Sequence, residues 1–350
     1  MKVHLLVRKA IRLRRTYEAP AEGRAGKIRL DFNENTTGCS RAARQALARL
    51  TAKEIATYPE YEVPARKLAR YFRVDPEELL LTNGGDDALR VFFDTFVEPR
   101  TDVLICEPTF PMYRYYAEIA GARIKVLRYG SNMEFPFEEA LAALRKNPRL
   151  FFLANPNNPT GTLVPVDAVR KLVRAAPRTV IVLDEAYAEF SPESAVPRVR
   201  EFPNLFVTRT FSKAEGMAGL RLGAVIGHRD SLAFVRRAMP PYPVNLAALV
   251  CGVAAVEERK TIARYVRGVK RLRVWFAREL DSRGVRVFPT SANFLLADFG
   301  KRGPAFFQKL ARHNILVRER SHDLGPGYAR ITIGTEAELK KLLKLFGSGR

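Results

Sequence analysis

A run of short apolar segments, each separated from the next by a helix-like stretch, limits this chain more than any other feature. Leu79-Leu-Leu-Thr82, Val103-Leu-Ile-Cys106, Leu150-Phe-Phe-Leu-Ala154, Thr179-Val-Ile-Val-Leu183 and Leu205-Phe-Val-Thr208 are strand-length and do not alternate between apolar and polar residues. A strand with two apolar sides must be covered on both faces. Ile124–Leu127 and Leu222–Ile226 extend the series. Helical patterns at 87–97, 138–146 and 166–176, and another ending at Gly121, supply the cover. This alternation predicts a largely parallel sheet inside two helical layers. Ligands of such sheets sit beyond the carboxyl ends of the strands.

The flanks read differently. Residues 1–35 form a basic arm with a helical patch at 7–15 and a short extended piece at 30–35. An N-capped amphipathic helix at 40–50, a loop at Tyr58-Pro-Glu-Tyr61 and a helix at 64–72 lead into the alternating region. Pro240-Pro-Tyr-Pro243 ends it. Residues 245–280 then predict a long, mostly helical bridge, interrupted or bent near Gly252 and Gly268. Beyond it, strands near 285–289, 293–297, 315–318 and 329–333 mix with helices at 303–313 and 335–346. The expected organisation is an arm (1–35), a large α/β unit (36–245), a bridging helix (246–280) and a small α+β unit (281–350). A chain of 350 residues is long enough for two such cores.

Composition excludes several classes. No apolar stretch approaches the ~18 residues of a membrane span, and the basic N-terminus has no apolar core like that of a signal peptide. Cys39, Cys106 and Cys251 are odd in number and scattered, which fits reduced thiols and a cytoplasmic location. The four histidines have no metal-ligand spacing with one another or with the cysteines, so no metal site is expected. The net charge of +22 is spread along the chain without a basic block or aromatic platform. Solvated arginine-rich helix faces account for it more simply than a nucleic-acid or membrane surface does, and anionic small molecules would be drawn to it.

Four features fall where the strands end. They are Asn83-Gly-Gly-Asp86 opening a helix, Asn155-Pro-Asn-Asn-Pro-Thr-Gly161, Asp184-Glu-Ala-Tyr187, and Ser212-Lys213 followed by Arg221. Alone, Lys213 reads equally as an amine nucleophile beside an anion site or as a surface lysine after a strand. The proline-asparagine segment is compatible with a plain turn, and Asp184 with a helix cap. Their joint occurrence at one sheet edge favours a site.

Together with Leu-Asp-Phe-Asn-Glu-Asn35, Tyr58-Pro-Glu, Glu107-Pro-Thr-Phe-Pro-Met-Tyr113, Thr210-Phe-Ser-Lys213, Gly219-Leu-Arg-Leu-Gly223, Pro241-Tyr-Pro243 and Arg330-Ile-Thr-Ile-Gly-Thr335, these segments resemble the pyridoxal-phosphate aminotransferases of fold type I. The resemblance is strongest to their histidinol-phosphate branch and covers nearly the whole chain. It implies a mostly parallel seven-stranded sheet covered by helices, plus a smaller α+β domain. It also implies pyridoxal 5'-phosphate as cofactor, with Lys213 as Schiff-base lysine and proton carrier. By the same likeness Asp184 would pair with the pyridine nitrogen and make the ring an electron sink. Tyr187 and Asn158 would hold the phenolic oxygen. Arg221, Ser212, Thr210 and the amides of Gly85 and Asp86 would hold the phosphate. Phe110 would stack on the ring, where many relatives carry tyrosine.

On the substrate side, the resemblance assigns Arg330 to the substrate's acidic group, with Arg318, Tyr17 and Tyr58 as helpers and Asn33 lining the pocket. Tyr58 would come from the neighbouring subunit, which implies a homodimer. The implied reaction is ping-pong transfer between an amino donor and 2-oxoglutarate/glutamate, with histidinol phosphate as first-choice donor. Thr36-Thr37, where the branch usually has proline, and Asn-Gly-Gly-Asp, where arginine or serine usually leads, are departures. Aromatic or aspartate-type aminotransferases and threonine-phosphate decarboxylases share the scaffold and remain alternatives. A basic nucleic-acid-binding protein on the same scaffold is a further one, and the complete set of cofactor residues argues against it.

Overall fold

The structure, a computed structural model, describes residues 6–12 and 22–347. Among them the apolar runs form a seven-stranded sheet from β2 (Leu79–Thr82), β3 (Asp102–Glu107), β4 (Arg123–Arg128), β5 (Leu150–Ala154), β6 (Val180–Asp184), β7 (Leu205–Thr210) and β8 (Gly223–Gly227). Their spatial order is β2-β8-β7-β6-β5-β3-β4, and β8 alone runs against the others. β5 and β8 are buried along their whole length, as two-sided cover demands.

Register brings the strand ends to one edge. Ala154 of β5 is aligned with Asp184 of β6, and Asp184 with Thr208 of β7. Antiparallel β8 begins at that edge, with Gly223 between Thr210 and Thr82. Gly223 has to be small, because a Cβ there would lie 2.5 Å from the backbone of Gly84.

A second sheet has the order β1-β11-β12-β10-β9, from β1 (Ile28–Leu30), β9 (Arg286–Val287), β10 (Phe294–Asp298), β11 (Ile315–Glu319) and β12 (Tyr328–Thr332). The arm therefore contributes a strand, β1, parallel to β11. The extended piece expected at 30–35 is strand only through Leu30. At Asn33 the backbone turns to φ 55°, and its amide donates to the Thr332 hydroxyl at 3.0 Å instead of to a ladder. Tyr187, Phe190 and Ala214, from loops at the edge of the large sheet, pack into the core of the small one. This locks the two layers together at the site.

Two helix expectations need correction. The helix expected from Asp87 begins at Gly84, so Gly84 and Gly85 form its first turn. Asp86 and Asp87 in that turn suit the positive helix end, and the Asp87 carboxylate accepts from the Asn83 amide at 3.0 Å. The helical bridge is two helices, Leu246–Glu257 and Arg259–Asp281, parted at Glu258 and not at either glycine. Gly252 has a packing role instead, since a Cβ would lie 2.3 Å from the Leu222 side chain. Short helices at Ala52–Ile55 and Arg229–Arg237 were not among the elements expected from sequence.

Candidate active site

A cavity of about 350 Å³ opens where the carboxyl edge of the large sheet meets the small one. Lys213 lies on its wall, in the turn after β7, and is half-buried. Its Nζ donates to the Phe32 carbonyl at 3.0 Å and stands 5.8 Å from the centre of the Tyr187 ring. Burial, helped by Arg330, pushes its pKa down to about 8. A neutral acceptor and depressed basicity make this amine available as a nucleophile.

Asp184 ends β6 beside it and is held from three directions. Its carboxylate accepts from the Tyr113 hydroxyl at 2.7 Å, the Thr208 hydroxyl at 3.0 Å and the Ala186 amide at 3.2 Å. Burial nevertheless raises its pKa above the ordinary value. A cation at the cavity side of this carboxylate would offset that desolvation. Tyr113 also lines the cavity and is fully buried, and it was not among the site residues expected from sequence. Its signal was its place in the Pro-Met-Tyr segment.

Tyr187 follows in the loop after β6. Its hydroxyl accepts from Asn33 Nδ2 at 2.9 Å, and Asn33 is fixed in turn by Asn293, which donates to its carbonyl at 3.0 Å. The adjacent asparagines divide their work. Asn157 is consumed internally, accepting from Thr109 at 2.7 Å and donating to Pro108 and Thr160 at 3.0 Å. Asn158 lines the cavity and accepts from Arg330.

At the opposite end Arg221, in a left-handed conformation (φ 59°), reaches the start of the Gly84 helix and bonds Asp86 at 2.9 Å. A Cβ on Gly84 would stand 2.6 Å from that guanidinium, and the backbone there has φ +80°, which favours glycine. Gly85, Asp86, Thr210 and Ser212 line the same corner, where the first amides of the helix lack helical acceptors. The Thr210 hydroxyl donates to Ser212 Oγ at 3.0 Å. Phe110 lines another wall, edge-on to Tyr113.

The small sheet supplies the remaining wall through Arg318 and Arg330. β11 and β12 set these two arginines directly opposite each other. Arg330 is buried, donates to Asn158 and the Asp31 carbonyl, and has Nε without a partner. Arg320 lines the cavity too, and sequence reading missed it although it follows Arg318 by one strand period. Tyr17 lies outside the described residues. Tyr58 is 75% exposed, stacked 4.4 Å from Tyr242 and not among the cavity's lining residues.

A family model for aminotransferases of class I and II matches residues 25–346. The chain belongs to that family. It is 32% identical over 323 residues to the histidinol-phosphate aminotransferase of a Geobacillus species, covering 90% of this chain and 88% of that one. Against the Symbiobacterium thermophilum enzyme of the same name the identity is 33%, covering 91% and 89%. The solved histidinol-phosphate aminotransferase of Sinorhizobium meliloti, in complex with pyridoxal-5'-phosphate, superposes with a TM-score of 0.88 at 25% identity over 96% of this chain and 95% of that one. L-threonine-O-3-phosphate decarboxylase of Porphyromonas gingivalis gives 0.79 at 25% identity over 91% and 98%.

An aminotransferase of this family works with pyridoxal phosphate, and the donor set fits that group. A half-buried amine of lowered basicity suits an aldehyde, and a carboxylate at the cavity wall suits a protonated ring nitrogen. The glycine-floored corner with Arg221, two hydroxyls and a helix start suits a phosphate.

Proposed function

We propose that this aminotransferase is a homodimer that moves an amino group between histidinol phosphate and 2-oxoglutarate/glutamate. The observation that carries the substrate choice is the guanidinium wall. Arg330 is buried on the cavity lining with one nitrogen unpaired, and Arg318 faces it across the strands. Buried cations without carboxylate partners need an anionic ligand. The likeness to histidinol-phosphate aminotransferases along nine-tenths of the chain supports the same substrate.

Each residue has a task in this reading. Pyridoxal phosphate, when bound, supplies a conjugated ring that takes up the electron pair released at the substrate carbon bearing nitrogen. Lys213 Nζ would accept the proton from that carbon, hold it and release it on the other side of the nitrogen, the 1,3-transfer that moving an amino group requires. Asp184 holds positive charge at the ring nitrogen, and Tyr113, Thr208 and Ala186 keep its carboxylate aimed. Tyr187 and Asn158 bind the phenolic oxygen, and Asn33 orients Tyr187. Arg221, Thr210, Ser212 and the amides of Gly85 and Asp86 anchor the phosphate. Phe110 covers one ring face and excludes water. Arg330 and Arg318 orient the substrate's acidic end. The resemblance would give Tyr17 a part in binding the same group, and Tyr58, exposed on this protomer, would serve the neighbour's site.

The test is a half-reaction panel. Purified enzyme is given histidinol phosphate, phenylalanine, aspartate and O-phosphothreonine in turn, and loss of the visible cofactor band is followed. Histidinol phosphate should react fastest. Faster reaction of phenylalanine or aspartate, or carbon dioxide release from O-phosphothreonine, refutes the substrate assignment. Lys213→Ala should abolish the borohydride-fixed adduct and slow turnover by at least about 10²-fold.

A further inference from the structure

The segment 31–34 crosses the cavity as a strap, and successive residues in it serve different site groups. The Asp31 carbonyl accepts from Arg330, and the Phe32 carbonyl accepts from Lys213 Nζ at 3.0 Å. The Asn33 side chain donates to the Tyr187 hydroxyl at 2.9 Å. Phe32, Asn33 and Glu34 all line the cavity. Asn293 and Thr332 fix Asn33 from the small sheet. The residues on either side of it are fixed by Arg24, which has had no part in the assignments above.

Arg24 sits in the turn before β1. Gly23, Ala25 and Gly26 around it are exposed, whereas its own side chain is turned inward and only 12% exposed. Its guanidinium makes two forks. Nε and Nη2 donate to the Asp31 carboxylate at 3.1 and 2.7 Å, and Nη1 and Nη2 donate to the Glu34 carboxylate at 3.3 and 2.7 Å. The same group lies 4.0 Å from the centre of the Phe32 ring. A planar guanidinium can bridge two carboxylates and stack on a ring at once, which the point charge of a lysine cannot.

Glu34 makes this clamp matter chemically. Burial opposes its ionisation, but the Arg24 hydrogen bond and charge, followed by Arg29 and Lys213, hold its carboxyl below the usual range. It is therefore an anion on the same wall as the reactive amine. Burial acts first on Lys213 itself. Of the charged groups around it, Arg330 and Arg221 oppose protonation, and Glu34 and Asp86 favour it. The nearby Tyr187 ring is neutral. Each of the two acids is held by an arginine, Asp86 by Arg221 at 2.9 Å and Glu34 by Arg24 at 2.7 Å. A protonated lysine paired with a carboxylate can neither attack an aldehyde nor take up a proton.

We propose that Arg24 is a positioning residue for the reaction. Its double fork holds the 31–34 strap over the cavity with Glu34 committed to the arm, so that Lys213 meets a neutral carbonyl and not a carboxylate. Arg24 thus competes with Lys213 for Glu34, and wins. This inference rests on the reading of Lys213 as the reactive amine.

The test uses the full chain freed of cofactor, as wild type, Arg24→Gln, Arg24→Lys, Glu34→Gln and the Arg24→Gln/Glu34→Gln double variant. The rate of recombination with pyridoxal phosphate is followed against pH, and the borohydride-fixed adduct is mapped by peptide mass spectrometry. Arg24→Gln releases Glu34 to pair with Lys213 and should move the midpoint up by about one pH unit. Arg24→Lys keeps charge without the forks and should fall between it and wild type. Glu34→Gln removes the competing carboxylate and should move the midpoint below wild type. The double variant should return close to wild type. A strap that had merely loosened and admitted water would raise the midpoint with or without Glu34. An upward shift that survives in the double variant therefore overturns the proposal, as does an unchanged midpoint in Arg24→Gln. Glu34→Gln leaves the fork on Asp31 in place, so it decides the matter if Arg24→Gln fails to fold. An unchanged or raised midpoint there is also fatal. An adduct on another lysine overturns the Lys213 reading and this inference with it, whereas an adduct on Lys213 without these shifts overturns this inference alone.

Discussion

Lys213 shows what can and cannot be read at the scale of one residue. Ser-Lys followed by Arg221 eight positions later names an amine beside an anion site, but an exposed lysine has the same spelling. Burial decides between them. It comes from the Asn33 turn and the Phe32 carbonyl, 181 residues away in sequence. The consequence is measurable in the apoenzyme. Recombination with pyridoxal phosphate needs the neutral amine, so its rate should rise with pH through a midpoint near 8, the pKa burial imposes, and not near 10.5. Stopped-flow absorbance across pH 6–10 checks this, and a midpoint above pH 10 would mean the amine is solvated. Asn157 and Asn158 make the same point. Both favour turns; the resemblance selects Asn158, and the bonds to Thr109, Pro108 and Thr160 show how Asn157 is spent on the loop.

At the scale of the element, β7 works on both faces. Thr208 and Thr210 point to the site, and alternation sends Arg209 the other way. There Arg209, largely covered, lies between Glu185, at 3.3 Å, and Glu189, with Phe72 beneath it. Glu215, two residues after Lys213, enters the same cluster. It accepts from the Tyr71 hydroxyl at 3.3 Å and leaves Oε2 without a partner. Burial first, and Glu189 next, push its pKa up to about 8 against 4.5 in the open chain. Because the folded value is the higher one, the stability this group lends is complete below pH 4.5 and is lost as pH climbs toward 8. Glu215→Gln keeps a neutral acceptor and should flatten that loss. Its melting temperature should exceed wild type at pH 8, with the gap closing toward pH 5. A constant gap across this range would show that Glu215 is ionised throughout. Nothing in the sequence announced this cluster, since each acid sits beside a recognisable catalytic residue and reads as its neighbour.

At the scale of the molecule, the open question is what the exposed edge near Tyr58 meets. Tyr58 and Tyr242 stack on each other and remain exposed, with Ile55 and Val63 also exposed nearby in sequence. A homodimer that delivers Tyr58 to the neighbour's cavity predicts complementation. Lys213→Ala and Tyr58→Ala proteins, unfolded together and refolded, should give more activity than the mean of the two refolded alone. Only a mixed dimer joins an intact Lys213 to a partner's intact Tyr58. Activity equal to that mean would confine each site to one chain.

The sequence by itself determined the strands and the largely parallel sheet, and it pointed to the residues that are proposed to hold the cofactor. Those are set by local rules: two-sided apolar runs, glycine at a helix start, a lysine and an aspartate where strands end. Arg318 and Arg330, twelve residues apart, become neighbours only through the register of β11 and β12. Arg320 became a wall residue, and Tyr113 a support for Asp184, by the same long-range closure. The tertiary structure alone decided where the helical bridge breaks and how Asn157 is consumed within its own loop. It also decided how much charge gathers there, because burial and charge pairing depend on atoms that the chain brings together only when folded.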